Sequence, residues 1–440
     1  MPLLRTGHIL KGVLSVKTSD LRMGDKLNIN RLTAEAVELL KGMIAIPSPS
    51  FSEEEVCTHI CGWLTEKGVA HERVGRNIIA EHIVDAAMPT LMMCAHIDTV
   101  NASPEYSFDP FLPDYEAAAK AIGAASGTDG CESEIVAGLG SNDDGASVVA
   151  MIAAYRYFQQ ISGGNRGLQN NPSQASLGPS PCGQGGSTVL QTPVSSGNAV
   201  SMNLVLVLTC EEERSGMNGM TGLWGTRFCR RGEEKDGCTE IDFAIIGEPT
   251  GMKAATSERG LLVIDAEAHG VSGHAARNEG KNALYIALED IDKIRKHTFD
   301  KISPRMGQVN LNVTQINAGS AHNVIPDLCS FVIDIRPTEQ YTNEEIFNEL
   351  QGICESGLKP RNLTNRSSAT FKDSPLQKTA EAMGIETFSS PTTSDWMRID
   401  CDAIKMGPGD SSRSHRKDEF VFVEEIRKGI KTYIEFINML

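Results

Sequence analysis

The chain reads as an α/β protein in which a mixed sheet flanked by helices forms a discontinuous catalytic domain, with a smaller α+β domain inserted into it. Three observations predict this. First, four apolar, strand-like runs each lead into acidic or histidine residues: Thr90 to Ala95 into His96 and Asp98, Asn203 to Leu208 into Glu211, Glu212 and Glu213, Ile241 to Ile246 into Glu248, and Ala403 to Met406 into His415. Strands buried on both faces read as continuous apolar runs, and an open α/β sheet gathers its site at their carboxyl ends. Second, 440 residues exceed the size at which a single core stops growing. Third, after Glu248 the pattern shifts to alternating strands and amphipathic helices, and the site-bearing pattern resumes only past about Arg361.

Residues 1–26 read as a flexible leader. Arg5, Lys11 and Lys17 accompany a short apolar patch from Ile9 to Val16, without an h-region ending in a small-residue cleavage site, and Met23 is an alternative start. The catalytic domain takes residues 27–253 and 360–440. Over Leu32 to Ile44, Ala36, Leu39, Leu40 and Met43 recur at helical spacing, and a second amphipathic helix spans Ser52 to Lys67. On that second helix Cys57 and Cys61 face the core. Ile78 to Ile83 and Thr90 to Ala95 are expected to be neighbouring strands. A long helix from Gly145 to Gln160 follows Asp143 and Asp144 directly.

Two segments look inserted, at about 115–134 and 162–201. The second is rich in Gly, Ser, Pro, Asn and Gln with Arg166 as its only charge. It buries too little apolar surface to offset its ordering entropy, so a mobile loop is expected. The inserted domain, 254–359, should hold strands at Leu261 to Ala268, Val309 to Ile316 and Ser330 to Ile335, and helices at Asn282 to Lys296 and Asn343 to Cys354. The chain closes with a helix from Glu424 to Met439.

Composition narrows the function. Fifty-seven acidic against 41 basic side chains give a formal charge of −16, which disfavours nucleic acid and anionic membranes as partners. No apolar run approaches the ~18 residues of a membrane span. The eleven cysteines include no Cys-x-x-Cys pair, and Cys94 and Cys210 sit in apolar runs, which points to a reducing compartment, the cytoplasm.

The motifs carry metal chemistry. In His96-Ile97-Asp98, alternation puts the imidazole and carboxylate on one side, where Asp98 can take the other ring proton and fix the tautomer. Asp143 lies where a Gly-rich loop runs into a helix; capping needs one polar residue there, which leaves a carboxylate free to bridge two cations. Glu211, Glu212 and Glu213 repel one another unless solvated or neutralised, so the triplet is either an exposed strand end or a cation holder with a base, and its place after an apolar strand favours the latter. Glu248 ends another apolar strand, and His415 follows a Gly/Pro loop with Asp418 and Glu419 near enough to orient it.

In this order the motifs resemble the co-catalytic zinc amidohydrolases that comprise acetylornithine deacetylase, succinyl-diaminopimelate desuccinylase, aminoacylase and glutamate carboxypeptidase. The likeness runs from about Leu32 to Leu440, and Thr392 to Trp396 and Gly407 to Glu419 are most similar to the acetylornithine deacetylases. The resemblance implies two zinc ions per subunit, with cobalt or manganese satisfying the same donors. His96 and Glu248 would hold one, Glu213 and His415 the other, and Asp143 would bridge them. Asp98 would orient His96, and Glu212 would be the general base. A non-proline cis peptide would follow Asp143. The inserted domain would be a lid and homodimer surface from which His274 reaches a partner subunit's site as an oxyanion donor.

The sequence departs from the family pattern in three places. Glu211 stands where most relatives have Asp, which leaves one residue of register open between base and ligand. Gly145 stands where a lysine is usual, and the 162–201 loop is extra. Arg259, Asn323 and Arg336 correspond to substrate-contacting positions, although either arginine can instead pair with Glu258 or Asp334. Thr393 and Ser394 could offer hydroxyls. The implied ligand is a small N-acyl amino acid, N-acetyl- or N-succinyl-ornithine first, in arginine biosynthesis. The rival readings are a desuccinylase of diaminopimelate, a di- or tripeptidase, and a non-catalytic metal-binding dimer.

Overall fold

The computed structural model describes residues 23–113, 118, 120, 122, 123, 134–164, 202–233, 235–277 and 279–440. The leader through residue 22, most of 115–134 and residues 165–201 lie outside them. In chain order the strands that build the site are β1 (Asn77–His82), β2 (Thr90–His96), β3 (Asn203–Thr209), β4 (Phe243–Ile246), β5 (Ala254–Glu258), β6 (Leu262–His269), β7 (Asn310–Ala318), β8 (Leu328–Arg336), β9 (Gly357–Pro360) and β10 (Asp402–Lys405). The helices that cover them are α1 (Met23–Ile44), α2 (Glu54–Glu66), α3 (Gly145–Gly164), α4 (Ala283–Lys296), α5 (Asn343–Ile353) and α6 (Val423–Met439).

The large mixed sheet runs Glu72–Val74, β1, β3, β2, β4, β10, β5 and Ser368–Ala369, with Thr387–Ser390 also on β5. β3, β2, β4 and β10 are parallel. Their alternation feeds two layers. Leu91, Met93 and Ala95 of β2 and Leu204, Leu206 and Leu208 of β3 pack with residues of α1, α2, α3 and α6. Met92, Cys94, Val205 and Val207 pack on the other face with Phe228, Ile241 and Trp396. Each fully buried Leu, Met, Val and Ile among them contributes roughly 1.5–3 kcal/mol. β1 and β2 are not neighbours as the sequence suggested, because β3 pairs between them, antiparallel to β1 and parallel to β2. Local strand spacing carries no information about a strand that arrives later through the α3 crossover.

The inserted sheet is antiparallel in the order β7, β8, β6, β9. One face is buried under α4 and α5 in a core drawn wholly from residues 262–358. The other stays wet, which is why β6 and β8 alternate in burial while β2 and β3 do not. The chain remains in the large sheet through Glu258, the end of β5, and enters the inserted sheet at Leu262.

Candidate metal centre

The carboxyl ends of β2, β3 and β4 and the loop after β10 converge. His96 is the last residue of β2, and its Nε2 lies 3.2 Å from Asp143 Oδ1 and 4.0 Å from Glu212 Oε2. His415 Nε2 lies 2.9 Å from Glu213 Oε2 and 3.9 Å from Asp143 Oδ2, so Asp143 sits between the two imidazoles. His96, Glu212 and Glu248 present donor atoms all within 4.8 Å of one another, as do His96, Asp143 and Glu213. The backbone is forced into this arrangement: Glu211, Ser215, His415 and Asp418 hold the left-handed region without being glycine, at roughly 1–3 kcal/mol each. Gly407 is required where its chain passes Glu248, since a Cβ there would come within 2.5 Å of the Glu248 carbonyl oxygen. The Asp143–Asp144 peptide is cis.

Asp98 secures two elements at once. His96 Nδ1 lies 2.9 Å from the Asp98 carbonyl oxygen and 3.5 Å from its carboxylate. The Asp98 carboxylate accepts from the Glu212 and Glu213 amides at 3.0 and 3.1 Å and from the Ser50 hydroxyl at 2.7 Å. Glu211 faces elsewhere: it is buried with Arg76 and Asn218. Of the acidic triplet, therefore, only Glu212 and Glu213 line the cleft.

The electrostatics follow from this crowding. Burial pushes Glu212 well above the usual carboxylate range, with Glu248 and Asp395 adding to it, and burial with Asp143 does the same to Glu248. Burial also works against the charge of Asp143, yet the hydrogen bond and charge of His96 hold it below its ordinary value. The Glu213 contact raises His415 to about 9. Two imidazoles and four carboxylates converge. The buried lysine on the cleft wall, Lys405, is already paired with Glu258 at 3.0 Å. An acid-rich donor set short of positive charge is what a pair of divalent cations fits.

The cleft beside these groups has a volume of about 730 Å³ and is lined further by Thr250, Leu261, Arg336, Thr392, Thr393 and Ser414, among others. Other expected contacts fall differently. Ser394 is wholly buried and donates to Glu258 at 2.7 Å, so its hydroxyl is a structural donor instead of a wall of the cleft. Arg259 donates to the carbonyls of Gln308, Arg336 and Met306 and does not line the cleft. Arg336 lines it, in a two-pronged pair with Asp334 at 2.9 and 3.1 Å. His274 lies in the short pairing of Gly273–His274 with Val324–Ile325, and Asn323 just before it; both are exposed and outside the cleft lining.

Asp418 and Glu419 do not orient His415. Asp418 accepts from Ser107, and buried Glu419 accepts from the amides of Gly140, Asn142 and Asp143, which fixes the Asp143 loop. Sequence reasoning also missed Asp395, buried behind Glu212, where burial lifts it to about 6 and Thr209 donates to it at 2.6 Å. The signal for Lys405 was present: it is a basic residue within the buried run Ala403 to Met406.

Residues 256–362 match the M20 peptidase dimerisation domain. Acetylornithine deacetylase of Myxococcus xanthus is 28% identical over 51% of this chain and 61% of its own length. The chain thus spans about three-fifths of that relative. Succinyl-diaminopimelate desuccinylase of a Wolbachia pipientis strain is 23% identical over 92% of this chain and 93% of its own. An M20 family metallo-carboxypeptidase from Sulfolobus solfataricus superposes with a TM-score of 0.63 at 15% identity, covering 92% of this chain and 98% of its own. The chain is a homologue of the M20 metallopeptidases and amidohydrolases. In this M20 homologue the matched dimerisation segment is the one that holds the second core. Among the described residues no helix is long and apolar enough to cross a membrane.

Proposed function

We propose that the chain is a dinuclear metal hydrolase of the amide bond of an N-acyl amino acid, with N-acetylornithine or N-succinylornithine as first substrates, a step of arginine biosynthesis. The observation that carries this is the meeting of His96, Asp143, Glu213 and His415 beside Glu212 and Glu248 at the ends of parallel strands. In this reading His96 and Glu248 hold one cation, Glu213 and His415 the other, and Asp143 lies between. Zinc is the first choice for both. Bound there, the pair of cations supplies the positive charge that acidifies a water and polarises the amide carbonyl.

The chain's own groups do the rest. Glu212, whose carboxylate basicity is raised by burial, takes the proton of the attacking water and returns it to the departing amine, leaving a carboxylic acid and a free amino acid. Asp98 holds His96 and, through the Glu212 and Glu213 amides, the base and its neighbour in one geometry. Arg336 and Thr393 on the cleft wall meet the substrate's carboxylate and acyl group. His274 of a second copy, brought by the dimerisation domain, stabilises the oxyanion. The nine described cysteines are unbonded, in keeping with a cytoplasmic setting.

A second reading keeps the chemistry and changes the substrate to N-succinyl-diaminopimelate, as the names of several relatives suggest. Hydrolysis of N-acetylornithine, N-succinylornithine, N-succinyl-diaminopimelate and a dipeptide, assayed side by side, decides between them. Turnover of an acyl-ornithine supports the first reading, and turnover of the dipeptide alone overturns it.

A further inference from the structure

Lys405 and Glu258 form a fully buried ion pair at the wall of the cleft, and the chemistry above uses neither. An ion pair buried in a core is a poor stabiliser, since desolvation of both charges offsets most of their attraction and well-packed apolar side chains of similar volume serve as well or better. Its presence in the β10 and β5 strands therefore calls for a role other than cohesion.

The polar groups around the pair point to one. Lys405 Nζ donates to the Thr392 carbonyl at 2.9 Å, lies 3.0 Å from Glu258 Oε2, and reaches the Thr392 hydroxyl at 3.4 Å. Glu258 in turn accepts from Ser394 at 2.7 Å and from Ser368 at 3.4 Å. Ser390 closes the other side, lying 3.2 Å from the Thr392 hydroxyl and accepting the Thr392 amide at 3.3 Å. The 390–394 segment is thus held in its middle by the lysine and at its end by the glutamate. Ser390, Pro391, Thr392 and Thr393 line the cleft, and so does Lys405. Glu258 ends β5 just before the chain crosses to the inserted domain, whose Leu261 and Arg336 line the same cleft.

We propose that Lys405, with Glu258, is a positioning residue that acts through Thr392, presetting the 390–393 wall against which the acyl group of the substrate is read. The pair sets substrate fit without touching the reacting atoms. The proposal deepens the hydrolase reading and rests on it for its kinetic part, while its structural part stands on the clamp alone.

The test uses Lys405→Met/Glu258→Met, which removes both charges and leaves neither unpaired, alongside Lys405→Arg as the conservative variant. Amide hydrogen exchange over 388–396 is followed in the metal-loaded protein, together with thermal midpoint and metal content, and kcat and KM are measured on N-acetyl- and N-succinyl-ornithine. Because the Lys405 charge also acts on Glu248, all variants are compared at saturating metal; there we expect the double variant to match the parent in midpoint, exchange about tenfold faster in that segment, and show KM raised about tenfold with kcat within about threefold. The ratio of the two substrates' kcat/KM should flatten, and Lys405→Arg should recover part of both changes. Unchanged exchange, or faster exchange with unchanged KM and substrate ratio, overturns the proposal. Should the double variant fail to fold, Lys405→Arg decides by the same readouts, and parent-like exchange and KM in it overturn the proposal. If the parent turns over neither acyl-ornithine, the hydrolase reading fails, and the exchange measurement still decides whether the clamp exists.

Discussion

The two parts of the chain handle charge in opposite ways. In the large sheet, carboxylates and imidazoles gather at the ends of strands with no wet face, from buried His96 and Asp143 out to exposed His415, and Glu212, Glu248, His96 and His415 all leave their ordinary titration ranges. In the inserted domain the sheet keeps one face in water, His274 and Asn323 are exposed, and Arg336 is neutralised by Asp334. The candidate donors gather at the buried strand ends, and the inserted domain offers surface. Low effective dielectric makes each charge in the cluster worth more to a reaction and costlier to leave uncompensated.

The sharpest way to break this contrast is to strip the cations with a chelator: hydrolysis should vanish and return with zinc, and turnover that survives would leave the cluster without its role. Next comes Glu212→Gln, for which kcat should fall about 10²- to 10⁴-fold with metal content unchanged. A variant as fast as the parent removes Glu212 as the base. His274→Ala should lower kcat about 10²- to 10³-fold although the residue lies outside this subunit's cleft. Mixing it with Glu212→Gln subunits should restore part of the activity if a partner supplies the imidazole. Asp98→Asn should weaken metal affinity or activity about 10- to 100-fold, read by competition with a chromophoric chelator.

The smallest effect concerns His415 in the metal-free protein. Its folded pKa of about 9 lies above the ordinary 6.5, so its proton stabilises the fold fully below 6.5 and ceases to do so as pH rises through 9. Binding a cation must expel that proton, so proton release measured in weak buffer should be large near pH 7 and small above 9. Release that is flat with pH would separate His415 from the site.

Much of the fold was legible because burial on both faces leaves an unbroken apolar signature, as in β2 and β3, whose limits differ from the sequence expectation by about one residue. Strand order was less so: β1 and β2 lie close in sequence, but the strand between them comes from beyond α3. The candidate donors stood out as residues that follow apolar strands, with Asp143 in a Gly-rich loop before α3, and the structure brings His96, Asp143, Glu212, Glu213, Glu248 and His415 together. What supports them was hidden. Glu419 binds amides near Asp143, and Ser394 serves Glu258; both partnerships join residues more than a hundred positions apart, for which no local spacing exists.

One consequence follows from the position of β10. It lies between β4 and β5, strands that are near neighbours along the chain, so a gap one strand wide must stay open in the middle of the sheet until the whole inserted domain has been made and the chain has come back. His415 travels just behind that returning strand. A ribosome-bound chain stalled before it would carry five of the six candidate donors and lack His415, so the cluster is complete only after the inserted domain has been made.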